Sequence, residues 1–348
     1  MINSTQSIKK YYPEIDFIKA FAIVSVVILH ILTFNGSKTI LYDSFASYHI
    51  WQAVPLFMLI FGFTFRLSIE KNHGLGKILS SRMIRLIIPL LVAYILSFLP
   101  MFIFNIHPVI NWHIFVGFLP MGGMGSYFIT LYIETIVYFT IFYYLVKHFN
   151  KYFVIVASIL FSIVGELIAY SIDVSDSYMY ASSVHRYTLL IALGYYFYDT
   201  INGEKNNLIL IALGGVSALL LYMFSITHHP IWPYSAYNSA VGWAFQHFPY
   251  AFYTVILALI LVEIYKKIEN KVIYAMMMHT MIMTVSKSSF HIFLAQLFVF
   301  LVEKFYKIEM DMLYAVSTLF LSIFLGILWY QLETLILKYA SLKVLDEK

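Results

Sequence analysis

The chain has 348 residues, 61% of them hydrophobic and only 11% charged, with a mean hydropathy of +0.81. That balance excludes an ordinary soluble domain and makes lipid the main solvent of the fold. The formal net charge of +4 is spread over loops with no basic patch, which argues against nucleic acid as a partner. The absence of cysteine removes disulfides, thiolate metal sites and a cysteine nucleophile.

Apolar stretches of about 20 residues recur between short polar loops, and none shows the ten-residue alternation of a barrel strand. The fold class expected is therefore all-α, a polytopic membrane helix bundle. The first apolar run begins at Ile15, is long enough to span, and lacks a small-residue cleavage site, so it reads as a retained helix. In chain order the spans fall at 15–34, 49–69, 83–106, 127–146, 152–170, 185–198, 208–227, 246–265, 289–302 and 312–337, about ten transmembrane helices. The sixth and ninth are short. With the N-terminus inside, 17 of the 22 basic residues fall in inside segments, which places both termini in the cytoplasm. The Met-rich piece 274–286 is too short to cross and reads as an interfacial or re-entrant helix. The outer loops 107–126 and 228–245 are aromatic and nearly uncharged, with Trp112, His113, His228, His229, Trp232 and Trp243. They form either an interfacial belt or a platform for a sugar ring. Residues 1–348 read as one membrane unit with no appended soluble domain, in a multi-pass cell-membrane protein.

The chemistry-bearing residues begin in the first span. Ten residues separate Lys19 from His30, and only Ser25 among them is polar. Eleven helical steps come to about 1100°, within about 20° of whole turns, so the two side chains share a face roughly 16 Å apart. A cation at one end of a membrane helix thus looks along the same face as an imidazole deep inside it, an expensive arrangement. Histidine suits a general base because it titrates near working pH. Asp16, three residues before Lys19, is positioned to pair with it. Arg82 and Arg85, spaced i and i+3 at the start of the third span, are two of only four arginines in the chain. They act either as positive-inside anchors or as a bidentate phosphate site. Glu134 lies mid-span in the fourth helix and Glu166 toward the outer part of the fifth. At such depth a carboxylate faces the bundle interior and pairs with a cation, orients His30, or binds a hydroxyl. His185 and Arg186 open the sixth span on the outer side, in an interfacial or acceptor-binding role. No phosphate loop, zinc-protease motif or nucleophile elbow occurs. The pair His228–His229 lacks the carboxylates a metal site would need, so no metal is expected.

These residues resemble a known family. The run Ile15-Asp16-Phe17-Ile18-Lys19 through Leu29-His30 is similar to the first-helix signature of the acyltransferase type 3 membrane acyltransferases. Val54-Pro55-Leu56-Phe57 through Phe61-Gly62-Phe63 resembles the family's second-helix run ending in Gly-Phe. Arg82-Met83-Ile84-Arg85-Leu86 through Pro89 resembles its Arg-x-x-Arg motif, and Lys287-Ser288-Ser289-Phe290-His291-Ile292-Phe293-Leu294 its late Ser-Tyr-x-Ile-Tyr-Leu helix. Ser126-Tyr127-Phe128 falls where members often carry Trp-Phe, and Gln296 sits near the place of a second His. Lys19 stands for the commoner Arg, as in the branch resembling fucose O-acetylases; the polysaccharide O-acetylases form the other similar branch.

The resemblance implies an acyltransferase that moves an acyl group, usually acetyl, from cytoplasmic acyl-CoA to a hydroxyl of a cell-surface or lipid-linked glycan. Lys19, Arg82 and Arg85 would bind the acyl-CoA. His30 would act as base with Glu134 beside it, and Asp16 would support Lys19. Tyr127, Arg186 and Gln296 would face the acceptor. Acyl-CoA, the saccharide and membrane lipids are the expected partners, with no nucleic acid and no metal. The alternative is a transporter that exports or flips a polysaccharide, with His30 and Glu134 carrying protons.

Overall fold

The computed structural model of the chain describes residues 11–34, 44–71, 73–105, 107, 112–123, 125–171, 180, 182–203, 208–227, 246, 248–269, 272–306 and 311–346. Among these residues there are helices and no strand, as lipid requires of an open-ended backbone. In chain order the helices are α1 (Pro13–Phe34), α2 (Ser44–Tyr48), α3 (Ala53–Glu70), α4 (Leu75–Phe104), α5 (Tyr127–His148) and α6 (Lys151–Ser171). They continue as α7 (Thr188–Ile201), α8 (Leu208–Thr227), α9 (Ala251–Glu269), α10 (Val272–Lys287), α11 (Ser289–Phe305) and α12 (Met312–Asp346). The aromatic stretch 228–245 lies outside the described residues.

Eight helices among the described residues are long and apolar enough to cross a bilayer. The two short spans expected at 185–198 and 289–302 are helices of 14 and 17 residues. Neither alone covers about 30 Å of hydrocarbon at about 1.5 Å per residue. The reason differs for each. Helix α7 is preceded by a 3-10 turn, Val184–Tyr187, and packs inside the bundle among α3, α6 and α9. Helix α11 meets the segment Met278–Lys287 of α10 at a bend of 71°. At that bend the Ser288 hydroxyl donates to the Thr284 carbonyl at 2.7 Å, closing one helix as the next begins. The segment expected to be interfacial or re-entrant is thus a bent partner of α11.

Helix α1 is the axis of the molecule, with α3, α9, α10, α11 and α12 packed around it. Small residues Ala20, Ala22 and Ser25 are buried along it, which lets neighbours approach closely. The most extensive pairing is α3 with α7, and two glycines permit it. A methyl carbon at Gly62 would stand 2.0 Å from the Ile191 carbonyl oxygen, and one at Gly194 only 1.8 Å from the Leu59 carbonyl oxygen. The two backbones therefore touch at both positions. Helix α12 is peripheral: it leans on α11, where a methyl at Gly326 would meet the Ile292 Cα at 2.3 Å.

Candidate active site

Two adjoining cavities run along α1. The inner chamber, about 320 Å³, is lined by Lys19, Ile23, Val26 and His30 of α1, by Phe57 and Phe61 of α3, and by Tyr127, Phe128 and Tyr132 of α5. Gly125, Ser286, Lys287, Phe290, Phe293 and Tyr330 complete most of its wall. The second cavity is a vestibule of about 300 Å³ whose polar lining includes Thr64, Ser68, Lys71, His73, Lys77, Ser81, Arg82 and Arg85. Lys19, Ile60, Phe61, Arg85 and Tyr132 line both, so the two spaces meet at a throat where Lys19 and Arg85 stand. No aspartate or glutamate lines either space among the described residues. Helical phase is the cause: Lys19 and His30 lie on one face of α1, and the passage follows that face.

The cations of the throat are held in different ways. Arg82 is buried, donates to the Thr64 hydroxyl at 3.1 Å, and lies 4.7 Å over the Phe139 ring. Arg85 is exposed and donates to the Ser81 hydroxyl at 2.7 Å and to the Ser81 carbonyl at 3.2 Å. Asp16 does not pair with Lys19 within 4 Å, contrary to the expectation from their spacing. Its carboxylate accepts from Ser286 Oγ at 2.5 Å and from the Tyr11 hydroxyl at 2.5 Å. Asp16 thereby pins the Ser286–Lys287 end of α10 to α1, and the Lys19 ammonium is left for the throat. Asp16→Ala is expected to cost about 1–3 kcal/mol, read as a lowered thermal midpoint of the purified protein. An unchanged midpoint would mean the Ser286 contact contributes nothing.

His30 ends the chamber. Its ring meets Phe300 edge-on at 6.1 Å, and its Nδ1 is buried without a hydrogen bond among the described residues. Fully buried Gln296 lies beside it, its side-chain amide likewise without a partner among the described residues. The end of the loop before α5 closes against the imidazole through Gly125. Leu119 and Met121 of that loop are buried, and the Tyr94 hydroxyl donates to the Ile114 carbonyl at 2.6 Å and the Phe118 carbonyl at 2.9 Å. Gly125 has φ +81°, and a methyl there would lie 2.6 Å from His30 Cε1 and 2.8 Å from Nε2. Only glycine meets both demands. Gly125→Ala is expected to reduce turnover by displacing the imidazole, with little change in donor binding; a kcat and KM pair measures it. An unaltered kcat would show that His30 tolerates the shift.

The remaining expected residues form a separate polar cluster on α5, α6 and the turn before α7. Glu134 lines neither cavity, and the contact it makes is with backbone and not with His30, a cation or a hydroxyl. Its Oε2 accepts from the Val184 amide at 2.8 Å, because the 3-10 turn presents an open backbone N–H there. Glu166 accepts from the Tyr180 hydroxyl at 2.9 Å and lies 3.3 Å from His185 Nε2. Arg186 is buried with its guanidinium 4.7 Å over the Tyr180 ring. The Tyr187 hydroxyl donates to Gln246 Oε1 at 2.5 Å. Tyr127 joins the two regions: it lines the chamber and neighbours Tyr187, Arg186 and Gln246.

Sequence reasoning passed over Tyr132, Ser286, Lys71, His73, Lys77 and Tyr330 as site residues. Tyr132 had a signal, since it follows Phe128 by one helical turn and shares its face. Lys71 and Lys77 were visible only as inside loop charges. Tyr330 had none, because α12 carries no periodicity that marks a cavity-facing side.

Fold and site together define an integral membrane enzyme, with a cationic entry leading to an imidazole between packed helices. Residues 12–331 match the model of an acyltransferase domain, a range that reaches from the start of α1 well into α12. The chain belongs to that acyltransferase type 3 family, and it is a membrane acyltransferase. No curated protein and no solved structure matches it.

Proposed function

We propose that this enzyme transfers a short acyl group, acetyl in the simplest case, from cytoplasmic acyl-CoA to a hydroxyl of a cell-surface or lipid-linked glycan. The observation that carries the reading is the union of a cationic vestibule, lined by no carboxylate among the described residues, with a chamber ending at His30. Coenzyme A is a polyanion at one end and a narrow, uncharged arm at the other. Arg82, Arg85 and Lys19 take its phosphates, since guanidinium and ammonium groups make strong charge-assisted bonds to them. The arm then extends between Phe57, Phe61, Phe128 and Phe293 toward the imidazole.

His30 takes the proton of the acceptor hydroxyl as that oxygen attacks the thioester carbonyl. The new C–O ester bond forms, the C–S bond breaks, and the imidazolium returns its proton to the departing thiolate. Tyr127 and Gln296 face the acceptor at this end, and Arg186 acts through Tyr127. Glu134 and Glu166 hold the turn that carries Arg186, away from the reacting atoms.

Replacing Arg82 or Arg85 with Ala is expected to weaken acyl-CoA binding by roughly tenfold or more, read by calorimetry. Unchanged binding in both variants would reduce the motif to a topology anchor. The activity is tested in proteoliposomes with labelled acetyl-CoA and the host's glycan fraction. Label on the glycan is the expected result. Glycan crossing the bilayer without label would favour the export or flipping alternative.

A further inference from the structure

The vestibule contains more positive charge than one diphosphate needs, and that charge is ordered along the passage. Lys19 and Arg85 line both spaces, with Arg82 next to them in the vestibule. Lys71, His73 and Lys77 line the vestibule alone. They belong to the connection from α3 into α4, where the His73 amide donates to the Ser68 carbonyl at 3.3 Å and the Ile78 amide to the Gly74 carbonyl at 3.1 Å. Neither Lys71 nor Lys77 forms an ion pair within 4 Å among the described residues, and the neighbouring acid, Glu70, is held by Arg66 at 2.8 Å. Lysines at a membrane face ordinarily meet lipid headgroups. These two instead line a cavity that continues inward to His30.

Resting on the acyl-CoA reading above, we infer that Lys71 and Lys77, with His73, form a second anion subsite that binds the ribose 3′-phosphate of coenzyme A. The order of charges on the ligand matches the order along the passage. The diphosphate adjoins the pantetheine arm and falls at the throat, with Arg82, Arg85 and Lys19. The 3′-phosphate is on the nucleoside end, farther from the thioester, and falls on the outer group. The enzyme thereby distinguishes coenzyme A from donors with the same arm and no phosphomonoester. Each phosphomonoester contact is charge-assisted, which makes it stronger than a bond between neutral groups.

The test is calorimetric titration of the full-length protein in nanodiscs of phosphatidylcholine alone, so that no anionic headgroup competes. The two probes are coenzyme A and 3′-dephospho-coenzyme A. Wild-type protein is expected to bind coenzyme A at least tenfold more tightly. The double variant Lys71→Ala/Lys77→Ala is expected to bind both probes with the affinity that wild type shows for the dephospho form. Equal affinities in wild type, or a preference that survives the double substitution, would overturn the inference while leaving the donor reading in place. Affinities for both probes unchanged by the substitution would assign these lysines to lipid headgroups, which also overturns it. Failure of wild type to bind either probe would instead overturn the donor reading itself. Both substitutions are at exposed positions, and a monodisperse elution profile checks that the variant is folded.

Discussion

His30→Ala is expected to lower transfer by roughly 10²–10⁴-fold while leaving the protein folded and its acyl-CoA affinity close to that of wild type. The structure separates these effects. Removing the imidazole breaks no ion pair: its Nδ1 is unpaired among the described residues, and its polar neighbour is the neutral Gln296. The donor's phosphates are assigned to Lys19, Arg82 and Arg85, about three helical turns away along α1. An interaction made only in the transition state should reduce kcat and kcat/KM together and leave donor binding alone. His30→Gln keeps a polar group of similar reach without a base and should be equally inactive. Measured in proteoliposomes, normal transfer by either variant would remove His30 from the mechanism.

The second large effect concerns the frame. Gly194→Leu is expected to prevent accumulation of folded protein, and Gly62→Leu to do nearly the same. A β-carbon at either position would stand 2.0 Å or less from a backbone carbonyl oxygen of the facing helix. No rotamer change relieves such a contact, because the obstacle is main chain and lies at the first side-chain atom. Overpacking in a core already costs about 1–3 kcal/mol when side chains can adjust; here the helices must separate. Parting α3 from α7 would also release the site, since Phe57, Ile60 and Phe61 of α3 wall the chamber. Detergent-extracted yield and elution profile read the outcome, and wild-type yield for Gly194→Leu would contradict the packing account.

The sequence resolved some of these features and left others out of reach, for physical reasons. Helical phase is a local property, so the shared face of Lys19 and His30 followed from their spacing alone and matches the wall of one chamber. The partner of Asp16 is Ser286, 270 positions away, and a close cation at i+3 looked like the better mate. Glu134 was legible as a carboxylate deep in a span. Its ligand is the Val184 backbone amide, and backbone donors leave no trace in residue identity. The length of 185–198 was legible, but only packing explains it, because α7 is enclosed by other helices and not by lipid. In the loop before α5, Gly122, Gly123 and Gly125 all take positive φ. That glycine cluster was the available signal that the loop closes against His30.

The central claim is that one continuous passage carries the donor from the vestibule to His30. The most direct measurement is photo-crosslinking with an acyl-CoA whose acyl chain ends in a diazirine, followed by mass spectrometric mapping of the adducts. The account predicts labelling within peptides carrying Leu29, His30, Phe128 and Phe293, suppressed by excess acetyl-CoA and lost in the double variant Arg82→Ala/Arg85→Ala. Adducts confined to the lipid-facing side of α4 or α12, unaffected by acetyl-CoA, would contradict it.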